Sequence, residues 1–523
     1  MSVAPRPSVA GVALSTLLAS VDVRLLDPSH GGVVVTGVTH DSRSVRAGDL
    51  YAALSGFNTH GAQFVDQACD AAAAAILTDK DGVERAQSTG LPILVTPDPR
   101  LILGLLAAQI YGHPSRDLIV VGITGTNGKT TTSYLLDAAL RSAGMTTGVI
   151  GTVGTRIGDE VIPTVRTTPE STDVHALLAV MREQGVQAVS MEVSSHALRQ
   201  GRVDGVRFAA VGFTNLSEDH LDFHDDMNDY FEAKASLFIG DRAPIAAICT
   251  DDDWGVLLAE RSARAGLSVT TFGLNSSADV HAQDIITDAG GSTFSAVDAT
   301  GTLTSVDVHL PGSFNVANAL GALSLAQCVG VDPVTASRGI SACGGVPGRM
   351  ERVLDPDGER GLIAFVDYAH TPDAVDRAIA AAREGTAGRI IVVLGAGGDR
   401  DRAKRPHMGE AAAHGADVVI VTDDNPRSEV PADIREAVLS GVRRFEAATS
   451  FDIADRRQAI EYAVGIAHSG DVVLVLGKGH EQGQEANGMV TAFDDRIVVA
   501  ESLRTSGAQR YSNVGVTNDS PNS

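Results

Sequence analysis

The apolar run LIVVGI, Leu118 to Ile123, leads directly into the glycine-rich turn Gly125-Thr-Asn-Gly-Lys-Thr130 and then into the helix-like stretch TTSYLLDAALRSAG. A strand apolar on both faces must be covered on both faces. A strand, a tight turn and a helix in that order therefore call for a mostly parallel sheet flanked by helices. The pattern recurs at TGVIGT, QAVSME, AAVGFTN and IAAICT, each separated from the next by a helix-length stretch. Beyond Gly344–Pro347 it resumes at LIAFVDYAH, RIIVVLGAGG, DVVIVTDDNPR and DVVLVLGKGHE, apolar strands that each end in a polar loop. This second series reads as a Rossmann-like domain.

The 523 residues are enough for several cores, and punctuation along the chain divides it. A first segment, 1–112, opens with the strand-like GGVVVTGVTHDSRSV, carries an alanine-rich helical stretch at Ala71–Leu77 and closes at the linker signal Tyr111-Gly-His-Pro-Ser. A central α/β domain follows at 113–344. Its segment 268–310 reads as short antiparallel strands and Asn315–Cys328 as a helix. The Rossmann-like domain occupies 345–504, and the polar residues 505–523 read as a disordered tail.

Composition excludes several functions. No apolar run approaches the roughly 20 residues of a membrane span, and the N-terminus lacks a signal peptide's charged start and apolar core, so a cytoplasmic location is expected. Four cysteines lie far apart with no CxxC pair, and buried thiols are expected rather than disulfides or a zinc knuckle. A net charge of −24 opposes nucleic-acid binding, since counterion release needs a basic face. Small anions can still be held at helix N-termini and by single Arg or Lys residues.

The turn 125–130 is suited to phosphates. Backbone amides and the helix N-terminus point at phosphate oxygens, Lys129 brings positive charge and Thr130 offers a hydroxyl to Mg²⁺. The strict Walker pattern requires Gly at 123, where this chain has Ile123. Glu192 closes the strand QAVSME, an edge where ligands collect in parallel sheets; a lone carboxylate there reads equally as solvated. His220 and His224 have i, i+4 spacing, but HExxH is absent and a catalytic zinc site is not expected. Lys234, in YFEAKASLF, reads from composition as a helix-surface lysine. In the last domain, Gly395-Ala-Gly-Gly-Asp-Arg400 lacks the third glycine of a dinucleotide fingerprint, which disfavours NAD. There Arg400, Asn425, Arg427 and Glu481 offer groups for an amino acid's carboxylate and ammonium.

GTNGKT is how the Mur ligases and their folylpolyglutamate synthase relatives write this turn. Together with EVSSHAL at Glu192–Leu198, the TNLSEDHLDFH segment, YFEAKASLF and DNPR, it makes the chain resemble the Mur ligase family, in its diaminopimelate-adding form, over essentially its whole length. The resemblance implies an N-terminal uridine-binding domain, a central ATPase domain and a C-terminal amino-acid domain. It implies that Gly125, Thr126, Asn127, Gly128, Lys129, Thr130 and Thr131 bind ATP, with Asn318 at the adenine, Arg349 at phosphates and Asp367 at the ribose. Lys129, Glu192, His220 and Lys234 are the implied catalytic residues. Mg²⁺ falls to Thr130, Glu192, His220 and a carbamylated Lys234 (N6-carboxylysine).

The resemblance further implies that UDP-N-acetylmuramoyl-L-alanyl-D-glutamate is held by Ser42, His60, Thr167, Thr168, Ser194, Gln200 and Arg202. For meso-diaminopimelate it implies Arg400, Asp424, Asn425, Arg427, Gly477 and Glu481. The implied activity is ligation in peptidoglycan precursor synthesis, serving cell shape and division, with the C-terminal domain closing onto the central one. The alternatives are a lysine-adding homologue, differing at the amino-acid pocket, a folylpolyglutamate synthase, lacking the N-terminal domain, and, from another class, a P-loop NTPase switch or motor.

Overall fold

The computed structural model describes residues 5–504 except 20, 57–58, 165, 355–360 and 446–447; the tail expected at 505–523 lies outside them. Each of the three expected segments is built on a sheet. The first has strands β1 (Arg24–Leu25), β2 (Gly37–Thr39), β3 (Asp49–Ala52), β4 (Ala75–Thr78) and β5 (Ile93–Val95), in the order β1-β5-β4-β3-β2. All neighbours are parallel except β1 with β5.

One expectation fails here. The stretch Ala71–Leu77 is not a helix: the helix Val65–Asp70 ends before it, Ala72 turns left-handed at φ 62°, and Ala75–Thr78 is an inner strand. Alanine's helix preference is worth well under 1 kcal/mol per residue, less than burying Ile76 and Leu77 in a covered sheet.

The linker at Tyr111 is sharp, with Gly112 and His113 both at positive φ before a 3₁₀ turn Pro114–Arg116. Packing nevertheless continues across it. Leu103, Leu106 and Ile110 of helix α1 (Pro99–Ile110) share a core with Ala176 and Ala179 of helix Ser171–Glu183, which belongs to the next sheet. The described residues form two compact units, one of 5–286, 293–308 and 314–344, the other of 287–292, 309–313 and 345–504.

The second sheet, in the first unit, has eleven strands. Its centre is β6 (Ile119–Thr124), flanked in parallel by Ala188–Glu192 on one side and Ala210–Phe213 on the other. Helix α2 (Lys129–Ser142) begins straight after the glycine turn. Thr147–Gly151, Ile245–Cys249 and Ser268–Gly273 extend the parallel set. Within 268–310, Ser268–Gly273 still pairs in parallel with Val280–Asp288. Gly291–Val297 and Leu303–Val308 follow as successive neighbours, and the two-residue turn before Gly291 is one that only antiparallel strands allow. The expected helix is present as Ser313–Cys328.

The third sheet, in the second unit, runs Glu351–Val353, Ile363–Asp367, Val472–Leu476, Ile390–Leu394, Val418–Val421, Thr449–Asp452, parallel throughout apart from the first strand. Four of these strands are the apolar runs read from sequence. Of the four thiols expected to be buried, only Cys249 is; Cys69, Cys328 and Cys343 are partly exposed. No described helix is long and apolar enough to cross a membrane.

Candidate active site

The glycine turn sits at the carboxyl end of β6, and its form is fixed by the strand beside it. Thr126 N–H donates to the Asn215 carbonyl at 2.9 Å and Asn127 N–H to the Asn215 side-chain oxygen at 2.9 Å, while Thr214 Oγ1 donates to the Asn127 carbonyl at 2.6 Å. Helix α2 then starts at Lys129, so its positive end faces the turn. Gly128 caps it at φ 87°, and a Cβ there would stand 2.2 Å from Asn318 Oδ1. The expected adenine residue Asn318 is thus packed against the phosphate turn.

Two lysines meet on one carbonyl. Lys129 Nζ donates to Gly125 O at 2.8 Å and to Thr126 O at 2.8 Å; Lys234 Nζ donates to the same Gly125 O at 2.7 Å. Lys234 is 1% exposed, which overturns the composition-based reading of a surface residue. Its ammonium lies 4.4 Å from the centre of the Tyr230 ring. Burial, and then the Lys129 charge, push the Lys234 amine well below the ordinary lysine range, against the smaller pull of Asp219. A lysine so placed is disposed to be a neutral, nucleophilic amine.

Glu192 is fully buried and accepts from Thr130 Oγ1 at 3.0 Å, Thr152 N–H at 2.8 Å and Thr152 Oγ1 at 2.9 Å. Its carboxylate lies over Gly151, where a Cβ would be 2.2 Å from Oε1, so any side chain there would push the carboxylate aside. His220 occupies a left-handed position at φ 57°, beside Asp219, and its ring meets that of His196 edge-on at 4.8 Å. Desolvation outweighs Asp219 and lowers His220 to about 3, keeping the imidazole neutral and able to ligate. His220 and His224 are joined by a single turn, not a helix.

Among the described residues no three His, Cys, Asp or Glu side chains converge as a metal site. The donors fit Mg²⁺ only with other oxygens added: Thr130 beside Glu192, and a carboxylated Lys234 together with His220. That set is hard and oxygen-rich, as Mg²⁺ requires.

Five expected substrate residues gather behind Glu192. Thr168 Oγ1 donates to the Glu192 carbonyl at 2.9 Å and accepts from Ser194 N–H at 3.1 Å. Arg202 donates to the Thr168 carbonyl at 3.1 Å and to Gln200 Oε1 at 2.7 Å, and Thr167 reaches Thr152 at 3.1 Å. Arg202 also pairs with the buried Glu170 at 3.0 Å. Burial opposes ionisation of that carboxyl, yet Arg202, His40, Arg166 and Arg100 together hold it below the usual range. Ser42 and His60 lie apart, on loops of the first sheet. Ser42 Oγ donates to Gln67 Oε1 at 2.8 Å. His60 accepts at Nδ1 from Ala62 N–H (3.0 Å) and donates from Nε2 to Asp79 (3.0 Å), so its ring nitrogens serve the loop itself.

In the second unit Asp367 takes the amides of Met350 (2.6 Å) and Ala369 (2.7 Å), and Arg349 lies over the Tyr368 ring at 4.7 Å. Burial raises the Asp367 carboxyl, with Arg349 opposing. Asp424, Asn425, Gly477 and Glu481 converge, and their hub is a residue the sequence reading passed over, Lys478. Its fully buried ammonium lies 2.9 Å from Asn425 Oδ1, 3.0 Å from Glu481 Oε2 and 3.5 Å from Asp424 Oδ1. Asn425 Nδ2 donates to Glu481 at 2.8 Å.

Arg427, at φ 51°, donates to Gly398 O at 2.6 Å and approaches Glu485 at 3.3 Å. Its backbone N–H donates to the Glu485 carbonyl at 3.0 Å. Arg400 stands exposed nearby: Arg427 Nη1 and Arg400 Cγ both lie within 4 Å of a Cβ position at Gly397. Asn215, Thr152, Tyr230 and Glu485 also take part without having been expected to. Asn215 stands inside the TNLSEDHLDFH segment, Tyr230 inside YFEAKASLF, Thr152 at the end of TGVIGT and Lys478 inside GKGHE; only Glu485 carries no local signal.

Three family descriptions match the chain in turn. These are the Mur ligase family catalytic domain at 34–111, the Mur ligase middle domain at 123–326 and the Mur ligase glutamate ligase domain at 348–479. A Streptomyces avermitilis protein named UDP-N-acetylmuramoyl-L-alanyl-D-glutamate--2,6-diaminopimelate ligase is 50% identical over 475 residues, 90% of this chain and 92% of its own. A solved structure of a ligase of that name matches with TM-score 0.66 at 31% identity, covering 94% of this chain and 99% of that one. The fold is also that of the MurF ligase of Thermotoga maritima in complex with ADP, at TM-score 0.61, 19% identity and coverage of 90% and 96%. With each of its three sheets matched in order and such a relative along nearly its full length, the chain belongs to the Mur ligase family.

Proposed function

We propose that this chain is an ATP-dependent ligase that adds meso-diaminopimelate to the D-glutamyl side-chain carboxylate of UDP-N-acetylmuramoyl-L-alanyl-D-glutamate, in the cytoplasm, during peptidoglycan precursor synthesis. The observation that carries this reading is the meeting of Lys129 and Lys234 on the Gly125 carbonyl, beside Glu192 bound to Thr130. That arrangement handles transferred phosphoryl charge. The name of the 50% identical relative supplies the two substrates. In this reading residues 1–112 hold the uridine end, 113–344 hold ATP and 345–504 the amino acid.

The chemistry is a carboxylate activated and then captured. The substrate carboxylate attacks the γ-phosphate, giving an acyl phosphate and ADP. The diaminopimelate amine then attacks the acyl carbon and phosphate departs. Lys129 and the positive end of α2 stabilise charge on the phosphoryl oxygens. Thr130 and Glu192 would hold one Mg²⁺, and His220 with carboxylated Lys234 a second; when bound, Mg²⁺ neutralises phosphate charge. Arg202, Gln200, Thr167, Thr168 and Ser194 orient the nucleotide-linked substrate beside them, with Ser42 and the His60 loop toward the uridine. Asn318 would contact adenine, and Arg349 and Asp367 the phosphates and ribose.

In the amino-acid pocket Asp424, Asn425 and Glu481 receive the ammonium, while Arg427 and Arg400 receive carboxylates. An arginine at that position supports diaminopimelate over lysine. The test is to incubate the full chain with MgATP, the UDP-linked dipeptide and either amino acid, and to weigh the product by mass spectrometry. A product heavier by one diaminopimelate less one water supports the reading, and a lysine adduct formed at equal rate refutes it. If Lys234 acts as a carbamate, Lys234→Ala should lose almost all activity and regain part of it with a small added carboxylic acid. Full activity without rescue rejects that role.

A further inference from the structure

Of the two histidines in TNLSEDHLDFH, His224 has no part in the chemistry above, yet it is the more buried, with no side-chain exposure. Both its ring nitrogens are engaged, Nδ1 at 3.0 Å from Asp229 Oδ2 and Nε2 at 3.0 Å from Ser195 Oγ. A carboxylate only accepts, so Nδ1–H donates to Asp229 and Nε2 accepts from the Ser195 hydroxyl. The order is that of a hydrolytic triad, but Ser195 is 1% exposed and no substrate reaches it. The same two bonds leave His224 no nitrogen for a metal.

What His224 joins is informative. Ser195 opens the short helix Ser195–Arg199 two residues beyond Val193, on the segment that leaves Glu192. Asp229 stands in the first turn of Met227–Ala235, the helix that carries Lys234. The His224 backbone N–H donates to the His220 carbonyl at 2.9 Å, beside that of Phe223 at 3.0 Å, closing the turn that holds His220 at φ 57°. Phe223 in turn stacks on His196 at 4.0 Å. A left-handed non-glycine residue is strained and persists only when its surroundings over-determine it. Here the determinant is a buried ring fastened at both ends.

We propose that His224 is a positioning residue. It fastens the segment after Glu192 and the helix of Lys234 to the turn presenting His220, and so fixes the spacing of three metal-binding side chains. The proposal rests on the reading of His220 as a Mg²⁺ ligand.

The test uses the full chain with ADP bound and Mn²⁺ as the probe, counting bound ion by electron paramagnetic resonance, with circular dichroism as the check on folding. His224→Gln keeps a polar group but cannot span both partners. It should retain the parent number of Mn²⁺ ions while binding the weaker one at least tenfold less tightly. The Mg²⁺ concentration for half-maximal ligation should rise in parallel, with kcat at saturating Mg²⁺ falling less than threefold. His220→Gln should lose one ion outright. Parent-like Mn²⁺ affinity in His224→Gln overturns the proposal, and so does loss of a whole ion, which would make His224 a ligand. Should His224→Gln fail to fold, Ser195→Ala, lacking one hydroxyl, decides: a several-fold weaker Mn²⁺ affinity supports the proposal and no change overturns it. If His220→Gln leaves Mn²⁺ binding untouched, the metal reading of His220 falls and the proposal with it. Loss in His220→Gln alone defeats only the positioning role.

Discussion

Replacing Lys478 by methionine removes a charge from the hub of the amino-acid pocket while keeping similar length and bulk. The ammonium is fully buried, and its loss leaves Asp424, whose side chain is 8% exposed, without its nearest cation. Breaking a buried pair by deleting one partner costs about 3–5 kcal/mol. Glu481 is 31% exposed, and the buried Arg456 charge also reaches both carboxylates, so the lower end, about 3 kcal/mol, applies. For a unit of this size each kcal/mol moves the melting point by about 2–4 °C, so the second unit should melt roughly 6–12 °C lower by scanning calorimetry. Adding Asp424→Asn, which neutralises the stranded carboxylate, should restore more than half of the loss. KM for meso-diaminopimelate should rise at least tenfold while ADP affinity stays unchanged. A drop below about 2 °C, or an equal loss of ADP affinity, would refute the hub role.

Three further outcomes are expected. Arg427→Ala should lower the rate with meso-diaminopimelate by two to three orders of magnitude and barely change the poor rate with L-lysine, since charge-assisted bonds are worth about 1.5–3 kcal/mol each; equal loss on both amino acids would contradict it. His175 is fully buried, donates from Nε2 to the Asp204 carbonyl at 2.9 Å, and is lowered by burial to about 4. Its folded pKa lies below the unfolded 6.5, so its contribution is present above pH 6.5 and is lost as pH falls toward 4, by about 3 kcal/mol. Urea titrations from pH 7 to 4 should show this slope reduced in His175→Gln, and an unchanged slope would exclude the residue. Gly151→Ala places a Cβ 2.2 Å from Glu192 Oε1 and should raise the Mg²⁺ requirement of ligation without unfolding the chain; parent-like Mg²⁺ dependence would show that Glu192 is not a ligand.

The strands legible in sequence were those buried on both faces, because LIVVGI or DVVLVL can be nothing else in a soluble core. Ala71–Leu77 misled because alanine's local preference points to a helix, while its place between β3 and β5 is decided by residues far along the chain. Lys234 shows the same limit. On a helix of mixed polarity it reads as exposed, and only the approach of the Gly125 carbonyl from 109 residues away makes it a buried amine. Lys478 lay inside a noted motif, but its burial depends on Asp424 and Asn425, which follow a strand that lies one strand away from its own, with Ile390–Leu394 between them. The spacing of His220 and His224 suggested one helical face; a single turn gives that spacing too, and burial then separates the two roles.

ADP release measured with each substrate omitted in turn shows whether ATP cleavage is coupled to joining an amino acid to a nucleotide-linked peptide. Sustained, multiple-turnover ADP release is expected only when MgATP, UDP-N-acetylmuramoyl-L-alanyl-D-glutamate and meso-diaminopimelate are all present, one ADP for each tripeptide formed. Equal release of ADP from MgATP alone would contradict it and return the chain to the class of ATP-driven switches or motors.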